Sequence, residues 1–412
     1  MKRTNALPRL LTSATALACV LASQAVAQTG VASLPLMPRG PHAVGTLRWV
    51  WTDAARPEVL SQSRASRRQV AVQLFYPAEQ RARPVRAAYV PTPRVLLDSE
   101  AELTEAKRRV LLGVITHADS GAAIVRSPSR LPIVLFSHGL GVPGFSYTSF
   151  LEELASRGYV VALVEHPYSG LVELFGRIVG LNTDSAWTRA RLLDPGIRNS
   201  LKASRTEVQA EDFRFVVRRL KALDRIGNRL DWSRLVAMGH SLGGTTAAEY
   251  CRVDPEPRAC VDLDGRLGWS WPIYLQGLVQ PFLYLRSDDL LHAENAVDSA
   301  DIRKRIGYER AAYSRFRGPL CDYVQSGTAH MDFSDQPMME AADAAKVVSL
   351  AGRLRRFEDI TVAFLDEYDR ADRPTLAGSA GKPGDWMQDC PATMVRDSAA
   401  APRPQMGTRG DL

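Results

Sequence analysis

Through the middle of the chain, short apolar runs alternate with stretches of helical period. Pro132–Phe136, Tyr159–Val164, Arg234–Met238, Ala259–Leu263, Pro281–Arg286 and Leu320–Val324 read as strands, several of them apolar enough to be buried on both faces. Between them Ser149–Arg157, closed by Gly158, reads as a helix, as do Thr206–Leu223, Ser241 to about Tyr250, and Ile302–Phe316. A long helix spans Met339–Tyr368. The clearest is Thr206–Leu223, with Val208, Phe213, Val216, Val217 and Leu220 on one side. Two strands come earlier, Arg48–Thr52 and Gln69–Tyr76, followed by a Pro- and Arg-rich stretch, 78–130, with one helix near Ser99–Gly113. Buried strands alternating with helices predict an α/β fold: a mostly parallel central sheet with helices on both faces. Residues 168–201 mix Gly, Trp and Leu without a period and are expected to form a cap insertion. Residues 371–412, rich in Gly, Pro, Ala, Asp and Arg, read as a loosely ordered tail.

The first residues belong to a different pattern. Lys2, Arg3 and Arg9 precede the apolar or small run Leu10–Val26, and Ala25-Val26-Ala27 is an A-x-A cleavage signature. Residues 1–27 are therefore read as a signal peptide, and the protein as exported, periplasmic or extracellular. The run is too short and too rich in Ala and Ser for a permanent span. A lipid anchor at Cys19 is the weaker reading, because Ala16 stands where such signals carry Leu. Residues 28–370 are expected to form a single catalytic domain.

Losing Lys2, Arg3 and Arg9 lowers the net charge from +7 to +4, a mild excess. No basic run is interleaved with aromatics, so nucleic acid is excluded as a partner. Basic residues gather in the N-terminal third, including Arg64, Arg67, Arg68, Arg81, Arg83 and Arg86. They read as a solvated face, with weak attraction to a membrane surface as the alternative. Nothing in the sequence sets an oligomeric state. Apart from Cys19, four cysteines remain, an even number that permits two disulfides in an exported chain. We expect Cys251–Cys260, across the short loop after the Ser241 helix, and Cys321–Cys390, pinning the tail. No C-x-x-C pair or His at ligand spacing suggests a metal.

Gly239-His240-Ser241-Leu242-Gly243 is a G-x-S-x-G pentapeptide set between a strand and a helix of small residues. That setting predicts a turn sharp enough to demand Gly on either side, presenting the Ser241 hydroxyl at a helix N-terminus. A hydroxyl needs a base to act as a nucleophile. Of seven histidines, His42 and His117 fall in the N-terminal region, and His240 should point away from Ser241. His330 follows a strand in a turn-rich string and fits the order Ser, acid, His, with His292 as the rival. For the acid, Asp264 and Asp288 each follow a strand and are even on pattern alone; Asp262 lies inside its strand and Asp289 beside Asp288. An oxyanion hole would take one backbone N–H from Leu242 and one from the loop after Phe136, in Ser137-His138-Gly139-Leu140-Gly141.

These blocks, with Phe75-Tyr76-Pro77-Ala78, Tyr159–His166, Leu263-Asp264-Gly265 and His330-x-x-Phe333, span roughly 69–335. In order and spacing they resemble the plasma-type platelet-activating factor acetylhydrolases and their bacterial lipase and esterase relatives, of the α/β-hydrolase superfamily. The resemblance implies the acid is Asp264, since in that family it follows the strand after the elbow helix. It also implies an oxyanion hole from the Leu140 and Leu242 amides, and neither cofactor nor metal. The implied substrates are small esters or lipids with short or oxidised acyl chains, a polyester depolymerase being the alternative. A catalytically silent binding protein would be expected to have lost Ser, His or acid, and this chain keeps all three.

Overall fold

The apolar runs of the sequence pair as parallel strands. The structure, a computed structural model, describes residues 32–61, 66–93, 104–127, 129–181, 186, 195–289, 311–368 and 386–388. The chain opens with β1 (Ala32–Ser33), the long β2 (Ala43–Pro57) and β3 (Arg67–Ala78), and the short β4 (Arg86–Ala88). Helix α1 (Glu105–Gly113) leads directly into β5 (Val114–Ser120), followed by β6 (Leu131–Ser137), α2 (Thr148–Ser156) and β7 (Val160–Glu165). A hairpin, β8 (Val172–Leu174) with β9 (Arg177–Val179), precedes α3 (Pro195–Lys221), α4 (Asp224–Gly227), β10 (Leu230–His240) and α5 (Leu242–Val253). Then come β11 (Ala259–Leu263), α6 (Trp271–Gln276), β12 (Phe282–Ser287), β13 (Leu320–Gln325), α7 (Gln336–Met339), α8 (Ala344–Tyr368) and β14 (Trp386–Gln388).

The main sheet runs β1-β5-β2-β3-β7-β6-β10-β11-β12-β13-β14, with β4 against β5. From β7 to β13 every neighbour is parallel, while β2, β3 and β7 pair antiparallel. Both faces of the parallel block are covered. Val134 and Phe136 of β6 pack with α2 and α8 (Phe150, Leu154, Phe357, Phe364). Ile133 and Leu135 pack with α3 and α5 (Phe213, Val216, Ala247, Tyr250). Alternate residues of one strand thus feed two cores, which is why these strands are apolar throughout.

Several expectations shift. Helix α3 starts at Pro195, well before Thr206; residues 196–204 are exposed or half-buried, so no apolar period marks that part. The irregular stretch from 168 contains the β8–β9 hairpin, whose Val172, Leu174 and Val179 pack on Ala71 of β3. Residues 182–185 and 187–194 of that stretch lie outside the described residues. Strand β5 arises in the Pro- and Arg-rich region where only a helix was expected. Three residues of the stretch read as a tail, Trp386–Gln388, add an antiparallel edge strand beside β13. The disulfide Cys251–Cys260 joins the end of α5 to β11. Cys390, the expected partner of Cys321, lies outside the described residues, as do residues 1–27. Among the described residues no helix is long and apolar enough to cross a membrane, and no group of His, Cys, Asp and Glu could hold a metal ion.

Candidate active site

At the end of β10 the chain turns into α5 through Ser241, whose φ is +57° and ψ −122°. A non-glycine residue is strained there, and the surroundings hold it. A Cβ on Gly239 would lie 2.2 Å from the Gly243 carbonyl oxygen, and one on Gly243 2.1 Å from that of Ser137. Only glycine permits strand, turn and helix to approach so closely, the physical content of the pentapeptide. The Ser241 N–H donates to the Leu263 carbonyl at 2.8 Å, tying the turn to β11. Leu242, as the first residue of α5, has no acceptor within its own helix for its N–H.

His330 stands opposite. Its Nε2 lies 3.0 Å from Ser241 Oγ and its Nδ1 2.6 Å from Asp264 Oδ2. The His330 side chain is 43% exposed while Asp264 is 4% exposed, so substrate can reach the ring but solvent barely reaches the carboxylate. Asp264 has φ +54°, and Ser287 donates to it from both N–H and hydroxyl, at 3.1 and 2.7 Å. Burial alone would raise the Asp264 pKa, but the His330 hydrogen bond and charge, with Ser287, hold it below the usual carboxylate value. The sharp exit from β11 is made by Asp264 itself, not by Gly265, whose φ is not in the left-handed region. Gly265 is required for closeness: a Cβ there would meet Asp262 Oδ1 at 2.3 Å. Asp262, fully buried within β11, accepts the Gly265 N–H at 2.7 Å.

Asp288, the rival acid, instead holds the loop that carries His330. The backbone N–H groups of Gly327 and Thr328 donate to Asp288 at 2.7 and 2.9 Å. The next two, Ala329 and His330, donate to Asp332 at 3.0 Å and Asp289 at 2.7 Å. Four successive amides are thus fixed by three carboxylates, and Arg353 joins Asp332 at 2.8 Å. The rival base His292 lies outside the described residues.

The loop after β6 lies against Ser241: a Cβ on Gly139 would sit 3.3 Å from Ser241 Cβ. Leu140, half-buried, is the next residue. Two hydrogen-bond chains secure this loop, neither of them expected from the sequence. In the first, the Gly139 N–H donates to the Tyr147 oxygen at 3.1 Å, and Tyr147 in turn meets His240 Nδ1 at 2.8 Å. His240 Nε2 is 2.8 Å from the His330 carbonyl oxygen, which can only accept, so Nε2 carries the hydrogen and Nδ1 accepts from Tyr147. Burial, then the charge of His330, lowers the His240 pKa to about 3, in keeping with a neutral ring. In the second, His138 donates from Nδ1 to the Gly139 carbonyl at 2.9 Å and accepts the His166 N–H at Nε2 at 3.0 Å. His166 is held through Nδ1 by Asp212, 2.8 Å away, and Asp212 is gripped by Arg68 and Arg56. Burial, then His166, lowers the His138 pKa to about 3. Gly141 donates to the Ser169 carbonyl at 2.6 Å.

A strained serine on a strand–helix turn, a histidine between it and a carboxylate, and a loop laid alongside form an arrangement suited to acyl transfer. Comparison with known proteins agrees. The family model described as "Alpha/beta hydrolase family" matches residues 134–406. The chain belongs to the alpha/beta hydrolase family. A second model, platelet-activating factor acetylhydrolase, isoform II, matches residues 30–170 of this hydrolase. It is 22% identical over 378 residues to the platelet-activating factor acetylhydrolase of Gallus gallus, covering 80% of this chain and 82% of the relative. To that of Cavia porcellus it is 21% identical over 64% of each chain. A solved ferulic acid esterase from Streptomyces cinnamoneus superposes with a TM-score of 0.64 at 28% identity, covering 84% of this chain and 97% of its own. This alpha/beta hydrolase is a serine ester hydrolase.

Proposed function

We propose that the protein cleaves short-chain carboxylic esters, short-acyl phospholipids among them, through a Ser241–His330–Asp264 triad and an acyl-enzyme. The observation that carries this is the His330 ring within hydrogen-bond distance of both Ser241 Oγ and Asp264. His330 takes the Ser241 proton as Oγ attacks the carbonyl carbon. The Leu140 and Leu242 amides receive the oxyanion, and the alcohol leaves with the proton from His330. Water, activated by His330, then releases the acid. Asp264 keeps Nδ1–H directed at itself and stabilises the ring when charged.

The similarity to platelet-activating factor acetylhydrolases supports a short acyl group, and the ferulic acid esterase makes aryl-acid esters the second class to test. Export, with a signal peptide at 1–27 and one catalytic domain after it, is supported by the N-terminal pattern and by the Cys251–Cys260 disulfide, a bond of oxidising compartments. The test is a panel of p-nitrophenyl esters from acetate to palmitate, with a short-acyl phospholipid and a feruloyl ester alongside. Ser241→Ala should reduce turnover by a factor on the order of 10⁴ or more. An organophosphonate should label the wild type once, at Ser241; labelling of another serine would end the proposal.

A further inference from the structure

The Asp264 carboxylate is gripped at both oxygens by one residue of the neighbouring strand. Strands β11 and β12 run parallel with Leu263 opposite Leu285, and the Asp264 N–H donates to the Leu285 carbonyl at 2.8 Å as the last rung between them. In a continued ladder the next rung would join the Ser287 N–H to the Asp264 carbonyl. Asp264 leaves the strand there at φ +54°, and its side chain takes the place of that carbonyl: the Ser287 N–H donates to Oδ1 at 3.1 Å. The Ser287 hydroxyl donates to the other oxygen, Oδ2, at 2.7 Å, the same oxygen that lies 2.6 Å from His330 Nδ1. Both residues are buried, so neither bond is readily replaced by one to bulk water. Two residues further on, Asp289 accepts the His330 N–H at 2.7 Å. The end of β12 thus reaches Asp264 through Ser287 and the backbone of His330 through Asp289.

We propose that Ser287 is a positioning residue of the reaction: its amide and hydroxyl together fix the plane of the Asp264 carboxylate, so that Oδ2 faces His330 Nδ1 and the imidazole is aimed at Ser241. The proposal rests on the triad reading above. A carboxylate can turn about its Cβ–Cγ bond, and a donor at one oxygen leaves that rotation open. Two donors from one residue, one on each oxygen, close it. Ser287 is 2% exposed and acts through Asp264 rather than on the ester, so its effect belongs to the chemical step and not to substrate capture.

The test is a double-mutant cycle over Ser287→Ala and Asp264→Asn. It is read as kcat and KM on p-nitrophenyl acetate and as the rate at which an organophosphonate labels Ser241. Ser287→Ala alone should lower kcat and the labelling rate about 10- to 100-fold, as for the loss of one hydrogen bond to a charged group, with KM changed less than about 3-fold. In the Asp264→Asn background the same substitution should change either rate less than about 2-fold, because the carboxylate it acts through is gone. Ser287→Thr, which keeps the donor, should restore both rates to within about 3-fold of the wild type. A loosening of the fold would instead cost the same in both backgrounds. Additive losses, a Ser287→Ala protein as fast as the wild type, or a folded Ser287→Thr protein that stays slow each overturn the proposal. The cycle adds no atom to the buried site, so it decides alone should the threonine protein fail to fold. Labelling of the wild type at another serine sinks the triad reading; labelling at Ser241 that Ser287→Ala does not slow sinks only the positioning role.

Discussion

His240 donates from Nε2 to the carbonyl oxygen of His330 at 2.8 Å, so the residue before Ser241 holds the backbone of the residue opposite it. Through Tyr147 the same ring reaches Gly139. Three separate loops, those of Ser241, His330 and Gly139, are therefore in register through one neutral imidazole. His240→Phe keeps the aromatic contacts with His330 and Phe333 but strands the Tyr147 hydroxyl and the His330 carbonyl. We expect a loss of about 1–3 kcal/mol in stability for each group left unpaired. Thermal unfolding measures it, and kcat should fall at least 10-fold while KM moves little.

Asp264 and Asp288 were even on sequence pattern, and the structure gives them different partners. Asp264→Asn leaves the ring without its anion and favours the wrong tautomer, so kcat should fall by about 10⁴. Asp288→Asn weakens two backbone bonds of the 327–328 turn, and should lower the melting temperature with less than a 10-fold loss of kcat. Steady-state kinetics on both variants checks this; the reverse ranking would reassign the acid.

Glu152 offers a test in pH. Burial first, and secondarily the charge of Asp335, raise its pKa from the ordinary 4.5 to about 8, against the opposing Ala118 hydrogen bond. The folded state thus binds a proton more tightly than the unfolded chain. Its contribution is fully present below about pH 4.5 and is lost as pH rises to about 8. Glu152→Gln should flatten the decline in melting temperature between pH 5 and 8. A wild-type curve that rises over this window would contradict the assignment.

Reducing Cys251–Cys260 opens a loop with a sequence separation of 9, worth about 2–3 kcal/mol on the chain-entropy account. The Cys251→Ala/Cys260→Ala protein should unfold at correspondingly lower denaturant while keeping most of its kcat, since neither sulfur touches the site.

The parallel block was legible because its strands are buried on both faces, and the elbow because close approach demands glycine at 239 and 243. Strand β5 was not, since Thr116, His117 and Asp119 interrupt its apolar run; Asp119 takes Arg81 and the Val85 N–H, partners no local pattern announces. The first part of α3 was hidden because residues 196–204 are exposed or half-buried; within the part that was legible, Asp212 takes Arg68 and His166 from 144 and 46 residues away, contacts no local pattern announces. The same distance hides the amide clamp under His330, where Asp288 and Asp289 act from 39 to 41 residues upstream. Asp264 could be favoured only by resemblance, because what separates it from Asp288 is the direction of a side chain.

Ser241 and Asp264, the proposed nucleophile and acid, come from one short β-α-β unit, β10 through β11, closed on itself by the Cys251–Cys260 bond. His330, the proposed base, comes from a separate segment 66 residues beyond Asp264. Two thirds of the site is therefore local and one third is brought in by long-range assembly. Partial unfolding that frees the β12–β13 edge would disarm the serine while the β10–β11 unit stayed intact. Loss of phosphonate labelling should then precede the exchange of β10 amides on gentle heating, making the reactive serine an early reporter of a loosening fold.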